Sequence, residues 1–281
     1  MRNEKLYAKA TEVAEVINGK GYYATVQEVV KRGGTMTGIA IRENKEQKIA
    51  PTIYIREEDL EADNEVLAEK FLDIVKDAPG VDFDPDTIDD YTKLKDKIYM
   101  VVCPAESELL NDVPHFLVED IGVYFIVKVD ESSSITIRNE HLTMWGIDFD
   151  TLKADAKYPE VVIKSMFDTL AEIMGIPEDD EELPPSPDGM YVASSPSKNN
   201  GGVCIANPEF YKKIKKMANG KAFYILPSSV HEVIVVFDEN GTINVQDLRD
   251  MVREVNDTQV APNDLLSYSV YTVKRGKLKI A

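Results

Sequence analysis

"ILPSSVHEVIVVF", residues 225–237, decides how the chain is read. Apolar, β-branched and aromatic residues flank two serines, a histidine and a glutamate, a composition that favours two strands around a turn. Pro227 has no N–H to give a ladder and suits a strand end or turn, and the two serines suit the turn itself. Strand, short turn, strand means an antiparallel pair. The run Val233, Ile234, Val235, Val236 is apolar at odd and even positions alike. Side chains alternate faces along a strand, so this run predicts a central strand with all four residues buried.

The same turn carries the only clustered candidates for covalent chemistry: Ser228, Ser229, His231 and Glu232. On an extended backbone Ser229 and His231 share a face, close enough for a base to polarise a hydroxyl. If the protein is an enzyme, a serine is the nucleophile, His231 the base and Glu232 the group that orients it. A nucleophilic serine usually sits on a sharp elbow flanked by glycine, beside an oxyanion pocket. No glycine flanks these serines. The competing reading is architectural: serine hydroxyls satisfy loop amides, and His231 hydrogen-bonds across the turn. That reading is favoured, ahead of a ligand or partner contact and of catalysis.

Working outward, apolar residues recur at helical spacing over 2–18, with a stop at Asn18-Gly19, and a hairpin around Gly33-Gly34 follows. A third strand, "APTIYI", precedes a helix starting near residue 57 with Val66, Leu67, Phe71 and Ile74 inward. "KIYMVVCP", "HFLVED", "IGVYFIVKV" and "SITIR" read as strands, and "NEHLTMWGI" as a short helix capped by Asn139 and closed by Gly146. Residues 159–174 read as one helix, with Ile163, Met166, Phe167, Leu170 and Met174 as its inner stripe. The segment 176–189 holds five consecutive acids and four prolines, which predicts an exposed loop. Beyond it come "MYVASS", the turn "NNGG", a helix over 208–219 with Phe210, Ile214 and Met217 inward, the opening hairpin, a helix "NVQDLRDMVREVN", and two closing strands around Arg275-Gly276. Strands outnumber helices and come in hairpin-like pairs. The fold class is α+β, mainly antiparallel sheets with packed helices, in two subdomains: an acidic one over 1–130 and a second over 131–281.

Composition excludes several functions. Fifty acidic against 32 basic residues leave a net charge of −18. Residues 1–150 hold 31 acids and 17 bases, so the excess is concentrated in the first half. A polyanion repels phosphate backbones and anionic lipid, which argues against direct nucleic-acid binding and against a membrane surface. The lysines at 212, 213, 215 and 216 read as a solvated helix face. No apolar run is long enough to span a bilayer, and the N-terminal residues do not read as a secretory signal. Two cysteines, Cys103 and Cys204, sit in apolar settings and read as buried free thiols. The histidines His115, His141 and His231 share no metal-ligand spacing, and there is no CxxC. "HEVIVV" has Val235 where a zinc-peptidase helix needs a second histidine. The alternating acids of "DFDPDTIDD" lack the glycine and closing glutamate of a calcium loop, and "NNGGVC" lacks the Lys and Ser/Thr of a P-loop. No metal, nucleotide or other cofactor is implied.

Four phrases together, "SITIRNEHLTMWGIDFDTLKADA", "YILPSSVHEVIVV", "LRDMVREVN" and "LSYSVY", resemble a domain-of-unknown-function family of Gram-positive gut bacteria. That family is similar, at a distance, to the YtpQ-like proteins of bacilli. The resemblance covers most of the chain and is clearest from about residue 115. Its most specific mark is Pro-Ser-Ser-x-His-Glu, met here by Pro227, Ser228, Ser229, His231 and Glu232. One departure is Ser194-Ser195, where a Thr-Asn pair is expected before the glycine turn. The resemblance implies a cytoplasmic protein with no known cofactor and brings no established activity. The leading expectation is a non-enzymatic cytoplasmic interaction protein whose acidic half meets a basic protein partner. Two alternatives stand beside it: a serine hydrolase-like enzyme using the turn, and a nucleic-acid-mimicking inhibitor from a mobile element.

Overall fold

The computed structural model describes residues 3–47, 50–77, 84–130, 133–175 and 189–281. Its contacts divide the chain into two compact units, Met1–Asp90 and Tyr91–Ala281. Except for Gly189, the proline- and acid-rich segment 176–189 lies outside the described residues.

In the first unit α1 (Glu4–Gly19) begins at Asn3, whose side chain accepts the Leu6 N–H, and buries Ala10, Val13, Ala14 and Ile17. The helix ends at Gly19, within the expected Asn18-Gly19 stop, and Asn18 has a second role. Its amide bonds both backbone groups of Ala24, tying the helix end to β1 (Tyr23–Lys31). β1 pairs antiparallel with β2 (Gly34–Arg42) through a two-residue loop, and β3 (Thr52–Tyr54) adds to β2. α2 (Asn64–Asp77) starts later than its apolar pattern suggests, because Asp63 accepts the Glu65 and Val66 N–H groups as a cap. Its buried face is Leu67, Ala68, Phe71 and Leu72. Leu67 and Phe71 were expected inside. Val66 and Ile74 are 62% and 46% exposed, because the helix presents the neighbouring stripe to α1 and the sheet.

The second unit opens with α3 (Tyr91–Leu94) and a sheet of β4 (Ile98–Pro104), β5 (His115–Val118), β6 (Ile121–Lys128) and β7 (Ser134–Thr136). β6 pairs with the other three, all antiparallel. The subdomain division expected at 130/131 falls between β6 and β7, which are bonded neighbours in one sheet. α4 (Asn139–Trp145) is closed by Gly146 in the left-handed conformation at φ 65°. Its N-cap is Arg138, one residue before the asparagine expected there. α5 (Phe149–Asp155) is capped by Asp148 and was not foreseen.

The single helix expected over 159–174 is instead β8 (Val162–Ser165) followed by α6 (Met166–Met174). Val162-Ile163 is β-branched and joins a sheet, and Ser165 Oγ accepts the Asp168 N–H at 3.0 Å, which starts the helix there. Leu170 and Met174 are exposed rather than inward. β9 (Met190–Ser194), α7 (Pro208–Ala218), β10 (Ala222–Pro227), β11 (Glu232–Asp238), α8 (Val245–Thr258), β12 (Tyr271–Lys274) and β13 (Lys277–Ile280) complete the unit. The strand order is β13-β12-β10-β11-β9-β8, antiparallel throughout. β11 is therefore interior, flanked by β10 and β9. Val233, Val235 and Val236 are buried, and Ile234 is half-buried beneath α8 with Leu248 and Val252. α7 buries Phe210 and Ile214 as read, but Met217 is exposed and Tyr211 and Ala218 take the inner positions.

Both units are α+β with antiparallel sheets and packed helices. Cys103 and Cys204 are buried and form no disulfide among the described residues, and burial pushes the Cys204 thiol up. No helix among the described residues is long and apolar enough to cross a membrane.

Candidate functional site

β10 and β11 run in register from Ala222↔Asp238 to Pro227↔Val233, so residues 228–231 form the turn. Pro227 takes the last paired position of β10, where a missing N–H interrupts nothing beyond it. The Ser229 N–H donates to the Glu232 carbonyl at 3.2 Å and closes the turn. Val230 is fully buried, and its N–H donates to the Asp264 carbonyl at 2.8 Å.

Every candidate side chain of the turn is engaged. Ser228 Oγ donates to Glu232 Oε1 at 3.3 Å. Ser229 Oγ accepts the backbone N–H of His231 at 3.0 Å, not a contact from its ring. His231 Nδ1 accepts the Asn200 backbone N–H at 3.2 Å, and Nε2 lies 3.2 Å from Asp264 Oδ1. A backbone N–H can only donate, so the ring proton sits on Nε2 and points at Asp264. The shared face of Ser229 and His231 thus brings a hydroxyl to a backbone amide and leaves the imidazole without a serine. An imidazole with both nitrogens occupied is not placed to remove a serine proton, since a general base must reach the proton it takes.

What the turn does instead is hold the loop 195–200. Ser194 Oγ donates to the His231 carbonyl at 2.7 Å, and the Gly202 N–H donates to the Val230 carbonyl at 3.0 Å. Gly201 and Gly202 begin a buried 3₁₀ segment, Gly201–Ala206. A Cβ on Gly201 would fall 2.6 Å from the His231 carbonyl oxygen and against the Ser195 backbone nitrogen. A Cβ on Gly202 would lie 2.7 Å from the Ser229 and Val230 carbonyl oxygens. Only glycine allows "NNGG" to lie this close to the turn. Ser195, buried, closes the loop on itself: its Oγ donates to the Asn199 carbonyl at 2.8 Å and accepts the Asn199 N–H at 3.2 Å. The Ser194-Ser195 departure at this strand end therefore carries bonds of its own.

The other two histidines lie elsewhere. His115 Nδ1 bonds the Val113 carbonyl at 3.0 Å. His141 Nδ1 accepts the Arg138 N–H at 2.9 Å, and its ring stacks on Trp145 at 5.3 Å; burial lowers its pKa from the ordinary histidine value. Among the described residues no three His, Cys, Asp or Glu side chains converge as metal ligands do.

A second polar centre was not found by reading motifs. Asp120, in the turn between β5 and β6, accepts the hydroxyls of Ser267 and Ser269 at 2.8 Å each on Oδ2, and that of Tyr271 at 2.6 Å on Oδ1. Tyr271 is fully buried, and burial together with the Asp120 hydrogen bond pushes its phenol up. "LSYSVY" is thus a set of alternating hydroxyls aimed at one carboxylate. The spacing Ser-x-Ser-x-Tyr was the available signal, since alternate residues of an extended segment share a face. Its acceptor, about 150 positions earlier, left none.

Comparisons with curated proteins and with solved structures return no match. The family model described as "Family of unknown function (DUF5688)" matches residues 4–275, nearly the whole chain, and the protein belongs to that family.

Proposed function

We propose that this protein is a non-enzymatic cytoplasmic interaction protein whose acidic N-terminal unit binds a basic protein partner. One observation carries the non-enzymatic part: both nitrogens of His231 and both turn hydroxyls, Ser228 and Ser229, are engaged in holding backbone and side chains in place. The partner's charge follows from the chain's own. Glu57, Glu58, Glu61, Asp63 and Glu65 are exposed together around the start of α2, with the 62%-exposed Val66 beside them. Within that run Glu58 has Arg56 nearby and Glu65 has Lys20, while Glu57 and Glu61 have no ion-pair partner among the described residues. Carboxylates around an apolar side chain suit a partner surface that is cationic with an apolar centre. A Gram-positive host and a distant YtpQ relationship belong to the same proposal, carried by the Pro-Ser-Ser-x-His-Glu phrase.

The test is capture of partners on the full chain and on a Glu57→Gln, Glu58→Gln, Glu61→Gln variant, with elution by salt. Basic proteins retained by wild type, released by salt and lost from the variant support the reading. Equal capture by both chains overturns it. A captured nucleic-acid enzyme displaced by duplex DNA would move the assignment to the mimic.

A further inference from the structure

The loop that His231 holds is one wall of a cavity of about 420 Å³ in the second unit. Its floor is one face of the β4–β6 pair, where strand alternation puts Tyr99, Val101, Ile126 and Lys128 on the same side. Glu160, just before β8, stands on another wall. The volume falls in the range of about 300–1,000 Å³ usual for small-molecule sites.

Three backbone N–H groups of the loop are already engaged. The N–H groups of Lys198, Asn199 and Asn200 bond Ser195 O, Ser195 Oγ and His231 Nδ1, so the loop offers no cradle of free amides to a phosphate. The Lys198 ammonium is bound to Glu172 at 2.9 Å, and Asp130 at the rim accepts the Ser133 N–H at 2.7 Å. Two charged side chains lining the cavity differ. Lys128 and Glu160 have no ion-pair or side-chain hydrogen-bond partner among the described residues, and neither does the Tyr99 hydroxyl. A cation and a carboxylate without such partners, over a partly apolar floor and with Asp130 as a second carboxylate at the rim, suit a small zwitterion.

We propose that this cavity binds a small zwitterion of the amino-acid class. Its carboxylate meets Lys128, its ammonium meets Glu160, and its side chain lies over Val101 and Ile126. The site is independent of the acidic face of the first unit. The Pro-Ser-Ser-x-His-Glu turn serves it by fixing the loop that walls it.

The experiment uses the full chain, with thermal shift and calorimetry against each proteinogenic amino acid and against Leu-Gly. N-acetylated and carboxyl-amidated forms of any binder serve as single-charge controls. At least one zwitterion should raise the melting temperature and saturate in calorimetry. N-acetylation should weaken binding about tenfold or more in wild type but not in Glu160→Gln, and amidation likewise in wild type but not in Lys128→Gln. Tighter binding of Leu-Gly than of free leucine would assign the site to peptides; the reverse would assign it to free amino acids. Both variants change exposed or half-buried side chains, and their unliganded melting temperatures show that they fold. No binding by any zwitterion, or blocked forms that bind wild type as well as the parent does, overturns the proposal. Undiminished affinity for the parent in both variants overturns it too.

Discussion

His231 Nε2 lies 3.2 Å from Asp264 Oδ1, which joins the turn between the two central strands to the segment that follows α8. With Nδ1 on the Asn200 N–H, the ring is a bridge between three parts of the chain. His231→Ala should therefore cost about 1–3 kcal/mol by stranding polar partners at a half-buried site. A serine-directed fluorophosphonate should label neither wild type nor the variant. Melting curves and probe labelling of wild type, Ser228→Ala, Ser229→Ala and His231→Ala check this. Wild-type labelling that vanishes in a serine variant and in His231→Ala, with melting unchanged, would make the turn a hydrolase site.

Gly201→Ala should destabilise by roughly 1–3 kcal/mol, because the added methyl meets backbone atoms of two other segments and neither can swing aside. A denaturant titration measures it. Wild-type stability in the variant would mean that the glycine turn does not pack against the hairpin as described.

Val235 is fully buried in an interior strand, and Val235→Ala should cost roughly 1–3 kcal/mol through lost transfer energy and the void left behind. A loss under about 0.5 kcal/mol would place this run at an accessible edge.

Tyr271→Phe removes a 2.6 Å hydrogen bond to a carboxylate and leaves the ring in place. The expected loss is about 1.5–3 kcal/mol, the usual worth of a hydrogen bond to a charged group. Asp120→Asn should be destabilising as well, since three hydroxyls converge on that carboxylate. An unchanged denaturation midpoint in both variants would remove this centre from the account of stability.

Glu172 on α6 accepts from Lys164 of β8 at 2.8 Å and from Lys198 of the cavity loop at 2.9 Å, and these hold its carboxyl down to about 2. With the folded value below the ordinary 4.5, the unfolded chain binds more protons between the two. The stabilisation is complete above the ordinary value and is lost as pH falls through that window. The melting-temperature gap between wild type and Glu172→Gln should shrink over the same range, and a pH-independent gap would contradict it. The three side chains are exposed, so the gap itself should be small and reduced by salt.

The opening hairpin, its proline-ended first strand and its buried valine run were legible because they rest on local facts: β-branching, alternation and a residue without an N–H. The antiparallel α+β class followed from the same kind of evidence. Less was legible in 159–174. Its apolar residues fit helical spacing, yet Val162 and Ile163 pair with a strand from further along the chain, and Ser165 then starts a shorter helix. A helical stripe shows that one side is apolar. Which side is buried depends on the neighbours, and on α2 they selected Leu67, Ala68, Phe71 and Leu72 while leaving Val66 and Ile74 exposed.

The candidate site divides in the same way. Residue types placed Ser228, Ser229, His231 and Glu232 together at a strand-joining turn, and the sequence by itself determined that much. Only the tertiary structure decided what the turn does. Asn200 and Asp264 lie more than 30 positions from His231 on either side, and no spacing rule reaches that far. Once packing brings their amide and carboxylate to the two ring nitrogens, the histidine has nothing left for a serine. The physical reason is that a side chain's chemistry is set by the groups occupying its lone pair and its proton, and those groups come from the fold.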